Sequence, residues 1–191
     1  MDGLDGCGKD SHTLRIRRTL AQHGHKVLLF RHPSNRIFGR MSKGALQRSG
    51  AVAIAVTTVF YTLDVLASVR QYNRANDGVI IFVRYLLGTA YLPPRLARLA
   101  YSFFRRILPF PDTPLFIDIE PSVAIRRIEA RNQAREMFET EERLRRIRHV
   151  AHSIAAGEWI VVENSEEGER PFEAVQDILQ SRGLLGRTLD T

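Results

Sequence analysis

Apolar residues fall into two alternating patterns along the 191-residue chain. Leu14, Ile16, Leu20 and Ala21 recur at roughly helical spacing after Lys9, and Gly24 supplies a stop, so a helix is expected over 9–24. KVLLFRHP, 26–33, reads as a buried strand ending at proline, and a shorter helix over 36–47 breaks at Ser49 and Gly50. A long apolar helix over 51–73 reaches the turn sequence NDG, 76–78, which feeds the strand VIIFV, 79–83. Pro93 and Pro94 open another helix through 106, since proline is tolerated in a first turn, and LPFPDTP forms a loop. A further strand is expected over 115–119, then a helix from Pro121 through 131. Helices over 141–156 and 171–180 flank a last strand, WIVVEN, 159–164. Strands alternating with helices predict an α/β fold with a parallel sheet covered by helices on both faces.

One stretch tests that picture. AVAIAVTTVFYTLDVLASV, 51–69, approaches membrane-span length with Asp64 as its only charge. Thr57, Thr58, Thr62, Asp64 and Ser68 are many polar groups for a lone span, so a buried helix is the better reading. Composition adds a basic balance, 28 Lys plus Arg against 21 Asp plus Glu, with Lys9, Lys26 and Lys43 the only lysines. Such an arginine excess suits phosphorylated ligands, although a coding bias toward Arg codons gives the same count. Basic and aromatic residues are not interleaved on a recognisable module, which argues against a nucleic-acid partner. The lone Cys7 forms no internal disulfide, and no leader is evident, so a cytoplasmic setting is expected. The six histidines show no metal spacing, and His149 and His152 read as neighbours on a helix.

The chemistry concentrates at GLDGCGKDSHT, 3–13. Gly3, four residues, Gly8 and Lys9 have the spacing of a phosphate-binding loop, in which glycines turn successive N–H groups around phosphate oxygens and the lysine reaches the outer phosphates. Gly3, Asp5, Gly6, Cys7, Gly8, Lys9, Asp10 and Ser11 are the candidate nucleotide contacts. Asp10 stands where a hydroxyl normally meets Mg²⁺, so it is a candidate metal ligand, or else a charge that stabilises a helix start. Such a loop normally lies between a strand and a helix. This chain begins inside it, so the first, central strand is expected to be missing, with the gene start assigned at the wrong methionine as one way to lose it.

Later segments fall into a matching order: Arg31 with Pro33, FYTLDV at 60–65, VRY at 83–85, FIDIEPSVAIRRIEAR at 116–131, REMFE at 135–139 and WIVVEN at 159–164. Over nearly its whole length the chain resembles the thymidylate kinase-like family of P-loop nucleoside monophosphate kinases. The resemblance implies one P-loop NTPase domain over 1–191 with a short lid at about 131–139. It implies transfer of the ATP γ-phosphoryl group to a nucleoside monophosphate, most simply dTMP to dTDP, with Mg²⁺. In that reading Lys9 holds the donor, Arg31 and Arg84 hold the acceptor phosphate, and Arg131 and Arg135 close over the transferring group from the lid. Asp5 faces the acceptor, Tyr61 stacks on its base and Tyr91 lies near its sugar. The resemblance further implies a homodimer formed through the apolar helix; no membrane partner is expected, because the apolar stretch reads as a buried helix and no other segment looks membranous.

Three positions depart from the family pattern. Val65 stands for an arginine that would grip the acceptor phosphate, Val83 for a carboxylate near the metal, and Asp10 for the loop hydroxyl. Asp10 is expected to restore the carboxylate lost at Val83, and Arg70 or Arg74 the arginine. Two other readings stay open: a catalytically impaired nucleotide-binding relative acting as a regulatory or interaction module, and a kinase for another phosphate acceptor. Arg126, Arg127, Arg143, Arg145, Arg146 and Arg148 are expected on solvated helix faces. Asp118 and Glu120 are expected to be structural or metal-adjacent.

Overall fold

The computed structural model describes residues 1–46, 51–72, 78–130 and 140–185. Strand β1 (Asp2–Gly3) leads through the glycine loop into helix α1 (Lys9–Gln22), followed by β2 (Val27–Arg31), α2 (Ile37–Leu46) and α3 (Ala51–Tyr72). Next come β3 (Val79–Val83), a 3-10 helix (Leu87–Tyr91), α4 (Pro94–Ile107), β4 (Leu115–Asp118) and α5 (Pro121–Ala130). The chain finishes with α6 (Glu141–Ala155), β5 (Ile160–Glu163) and α7 (Arg170–Ser181). The expected lid at 131–139, with Arg131 and Arg135, lies outside the described residues, as does Arg74.

All strand pairs are parallel. Strand β2 pairs with β3 from Val27↔Val79 to Arg31↔Val83, while β4 pairs with both β1 and β5. Main-chain bonds at Met1 join the two groups: its nitrogen donates to Phe82 O at 2.6 Å, and Arg84 N donates to Met1 O at 3.2 Å. The resulting order is β2-β3-β1-β4-β5. The expectation that the first strand is missing is therefore corrected. Two residues occupy its place, with Asp2 opposite Phe116 and Gly3 opposite Ile117. A two-residue strand containing an aspartate and a glycine leaves no alternation for a sequence reading to detect.

Helices flank the sheet. Strand β4 is wholly buried, with Phe116 and Ile117 against Ile16 and Leu20 of α1, Ala124 and Ile128 of α5, Leu144 and Ile147 of α6, and Val175 and Leu179 of α7 in one core. Helix α3 is not the fully buried helix expected. Asp64, Val65 and Ser68 face inward, but Val56, Val59 and Leu63 are exposed on the opposite side. No helix among the described residues is long and apolar enough to cross a membrane.

The arginines divide differently from the expected pattern. Arg143, Arg145, Arg146 and Arg126 are exposed, whereas Arg148 turns inward and binds Asp118 through Nε at 2.9 Å and Nη2 at 2.8 Å. Arg148 also donates to Glu120, and His152 Nε2 lies 2.8 Å from Asp118 Oδ2. Arg127 is half-buried and donates to Asn164 O at 2.9 Å. Asp118 is thus a structural carboxylate holding α6 to the end of β4. Burial pushes the Asp118 carboxyl up, but the bonds from Arg148 and His152 outweigh it and hold the pKa below 3.8.

That depressed pKa fixes the sign of a pH effect: the contribution is complete above the ordinary 3.8 and disappears as pH falls through the lower folded-state value. We expect Asp118→Asn to destabilise the protein by about 2 kcal/mol at neutral pH. In denaturant titrations repeated at decreasing pH, the gap from wild type should close below 3.8; a constant gap would assign the loss to packing instead.

Candidate functional site

Residues 3–9 form a loop wedged between β1 and the start of α1. Gly6 and Gly8 sit at φ 77° and 81°, the left-handed region that favours glycine. A Cβ on Gly6 would lie 2.6 Å from Ala124 O, and one on Gly8 2.7 Å from Asn164 Nδ2, so side chains are excluded sterically as well. Asn164 Nδ2 donates to Cys7 O at 2.7 Å, fixing the loop from the side of β5. Gly8 caps α1 without a side-chain hydrogen bond. The free first-turn N–H groups and the helix dipole together make this end attractive to anions. Cys7 is buried, which raises its thiol pKa and makes it packing material rather than a nucleophile. Asp10 and Ser11 are both exposed at the mouth of the loop.

Three of the expected ligand residues converge on one carboxylate. Asp5 is 2% exposed and accepts from Arg84 Nη2 and, at 2.9 Å, from the Tyr91 hydroxyl. Lys9 Nζ lies 3.6 Å from the same carboxylate and donates to Leu4 O at 2.8 Å. Arg84 is held at φ 55°, unusual for a residue with a side chain, and Tyr61 Oη donates to its carbonyl at 2.7 Å. Tyr61 therefore fixes the main chain from which Arg84 projects. Burial raises the Tyr61 and Tyr91 pKa values well above their usual range, so both remain neutral donors.

Arg31 approaches from the neighbouring strand. Its Nε and Nη2 are shielded from solvent and have no hydrogen-bond partner among the described residues, while Nε lies 3.8 Å from Asp10 Oδ1. Arg31 and Val83 are direct register partners on β2 and β3. Val83 itself is 2% exposed and part of the core.

Two residues with large roles here were not among the expected site residues. Asp2 accepts from Tyr85 N at 2.7 Å and Leu87 N at 3.3 Å, fixing the segment that follows Arg84. Asp64 is buried in α3 and accepts from Ser34 N at 2.6 Å, Ser34 Oγ at 2.5 Å and His32 Nδ1 at 3.2 Å. Arg36 adds bonds to the Asp64 carbonyl and Ser68 Oγ. Burial lowers the His32 pKa despite Asp64, so this contact is a hydrogen bond from a neutral imidazole rather than an ion pair. Burial raises the Asp64 pKa, and the Ser34 and His32 bonds more than reverse it. Asp64 thus fastens the turn after Arg31 to α3. Its identity was visible in the sequence, but its partners lie some thirty residues away.

A cleft opens beside this cluster. Asp5, Arg84 and Tyr91 line it together with Tyr61, Val65, Thr58 and Thr62 of α3, and Pro33 and Ser42 line it as well. Val65 presents an apolar wall where the family pattern has an arginine. Arg70 is exposed and does not line the cleft.

A cation-bearing glycine loop beside an aromatic cleft is an arrangement for holding two phosphorylated ligands, and comparison with known proteins agrees. The family model described as thymidylate kinase matches residues 1–177. A probable thymidylate kinase of Archaeoglobus fulgidus is 26% identical over 184 residues, covering 95% of this chain and 93% of that protein. A putative thymidylate kinase of Aeropyrum pernix is 28% identical over 194 residues, with coverage of 95% and 93%. The fold is similar to a solved thymidylate kinase structure from Candida albicans, with a TM-score of 0.73 at 15% identity, covering 96% of this chain and 90% of that one. The chain belongs to the thymidylate kinase family.

Proposed function

We propose that the chain transfers the γ-phosphoryl group of ATP to dTMP, giving ADP and dTDP. The observation that carries this reading is the convergence of Lys9 and Arg84 on the single buried carboxylate of Asp5, where the glycine loop meets the cleft. On the donor side, main-chain N–H groups of the loop and of the first turn of α1 take the ATP phosphates, and Lys9 exchanges Leu4 O for a phosphate oxygen. On the acceptor side, Arg31 and Arg84 take the dTMP phosphate. The shielded Nε and Nη2 of Arg31, without partners among the described residues, are costly to leave so, and a phosphate satisfies them. Tyr61 forms a platform for the base and Tyr91 borders the sugar.

An oxygen of the dTMP phosphate attacks the γ-phosphorus, the bond to the β-phosphate oxygen breaks, and ADP leaves. The attacking phosphate is already anionic, so no general base is required. Catalysis comes from holding two phosphates in line and offsetting their mutual repulsion.

The family implies Mg²⁺, and the residues present fit it. Mg²⁺ in nucleotide sites takes one or two carboxylates together with substrate phosphates and water. Asp10 offers one exposed carboxylate at the mouth of the loop, and no cluster of three or more His, Cys, Asp or Glu suited to a metal occurs among the described residues. Asp10 would hold the ion. When bound, Mg²⁺ neutralises charge on the donor phosphate oxygens.

The exposed side of α3 also belongs to this reading. Val56, Val59 and Leu63 on α3, with Ile37, Phe38 and Met41 on α2, leave apolar side chains exposed that suit a two-fold homodimer. Sedimentation of Val59→Asp should show a shift toward monomer, and an unchanged mass would remove this face from the interface.

The kinase reading is tested by coupling ADP release to dTMP phosphorylation with purified protein, ATP and Mg²⁺. Lys9→Met should lower kcat on the order of a hundredfold. Arg31→Met should raise the KM for dTMP by about tenfold or more while leaving the KM for ATP nearly constant. Nucleotide binding without dTMP-dependent ADP release would defeat the proposal.

A further inference from the structure

Helix α4 carries two apolar faces, and the fold uses one of them. Ala97, Tyr101 and Leu108 are buried, and Trp159 Nε1 donates to the Tyr101 hydroxyl at 2.7 Å, which itself donates to Glu158 at 2.7 Å. Arg105 pairs with Glu158 at 3.3 Å and lies over the Phe110 ring. The helix is thereby clamped along its inner side. On the outer side Leu96, Leu99, Phe103 and Ile107 are 53%, 68%, 58% and 53% exposed. Steps of three, four and four residues place them in a single stripe. Scattered exposed apolar residues need no explanation, but four large ones aligned on one helix do. Arg95, Arg98 and Arg106 are exposed along one edge of the stripe, and the helix contains no acidic residue.

We propose that this face of α4 docks on the anionic surface of a lipid bilayer. An apolar stripe of leucine, isoleucine and phenylalanine edged by arginines is the composition of a helix that lies in the interfacial plane. The phosphates of acidic lipids complement the arginine edge, while the apolar side chains enter the boundary with the acyl chains. A second copy of the chain fits poorly, because pairing α4 with itself would bring arginines of both copies together with no carboxylate on the helix to offset them. At 14 residues the helix lies on the surface and does not span it. This revises the sequence expectation of no membrane partner. It is independent of the phosphoryl-transfer reading, since no residue of the stripe belongs to the site.

The test is cosedimentation of the full chain with vesicles of phosphatidylcholine alone and of phosphatidylcholine mixed with phosphatidylglycerol. Binding is expected to the mixed vesicles, weakening as salt is raised. The double variant Leu99→Ser, Phe103→Ser should bind at least about tenfold less tightly. The triple variant Arg95→Gln, Arg98→Gln, Arg106→Gln should lose affinity on the order of a hundredfold. All substituted residues are exposed, so thermal unfolding and dTMP kinase turnover of both variants should match wild type, which separates loss of docking from loss of folding. Failure of wild type to bind the mixed vesicles overturns the proposal, as does undiminished binding by either variant. A fall in sedimentation mass of the Leu99→Ser, Phe103→Ser variant would assign the stripe to self-association and overturn it as well.

Discussion

The two groups of strands are joined through residues 1–3, and the position of the site depends on that junction. Met1 bonds to β3 through its main chain, Gly3 lies opposite Ile117 of β4, and the Asp2 carboxylate holds the N–H groups of Tyr85 and Leu87. Arg84 lies between those anchors in a left-handed conformation that ordinary residues adopt only under constraint. The same short segment therefore launches the glycine loop on one side and fixes Arg84 on the other. Few residues bring the loop and Arg84, proposed to hold the acceptor phosphate, into register.

Electrostatics follow from that placement. Lys9 and Arg84 would repel each other at such close range, and Asp5, buried and further restrained by Tyr91, lets them share one counter-charge. Incoming phosphates then compete for cations already positioned and desolvated, which is the sense in which the site is preorganised. Asp64 acts in parallel on the opposite wall by tying the turn beyond Arg31 to α3. With valine at positions 65 and 83, the charges proposed to meet the acceptor are those of Arg31 and Arg84, with the carboxylates beside them.

Much of this was legible in the residues alone. Helix α1 was announced by its apolar spacing and Gly24, α4 by Pro94 in its first turn, and β2, β3 and β4 by β-branched and aromatic runs between turn residues. Local signals sufficed because each concerns neighbours within one or two turns of chain. The 3-10 helix over Leu87–Tyr91 has no period to detect, and β1 is too short to have one. Asp2, Asp64 and Arg148 escaped for another reason. Their partners lie 30 or more residues away, at Tyr85, Ser34 and Asp118, and a lone charge in sequence does not disclose which distant group will neutralise it. The glycine motif identified the loop but not Asn164 as its support, because that contact spans 157 positions.

The short β1 also bears on how the site assembles. The partners of Met1, Asp2 and Gly3 are Phe82, Arg84, Tyr85, Leu87, Phe116 and Ile117. Each of these contacts closes a loop of about eighty residues or more and carries the corresponding entropic cost. The β2–β3 pair closes a shorter loop and does not need them, so the nucleotide loop takes its final shape only once distant strands have met around it.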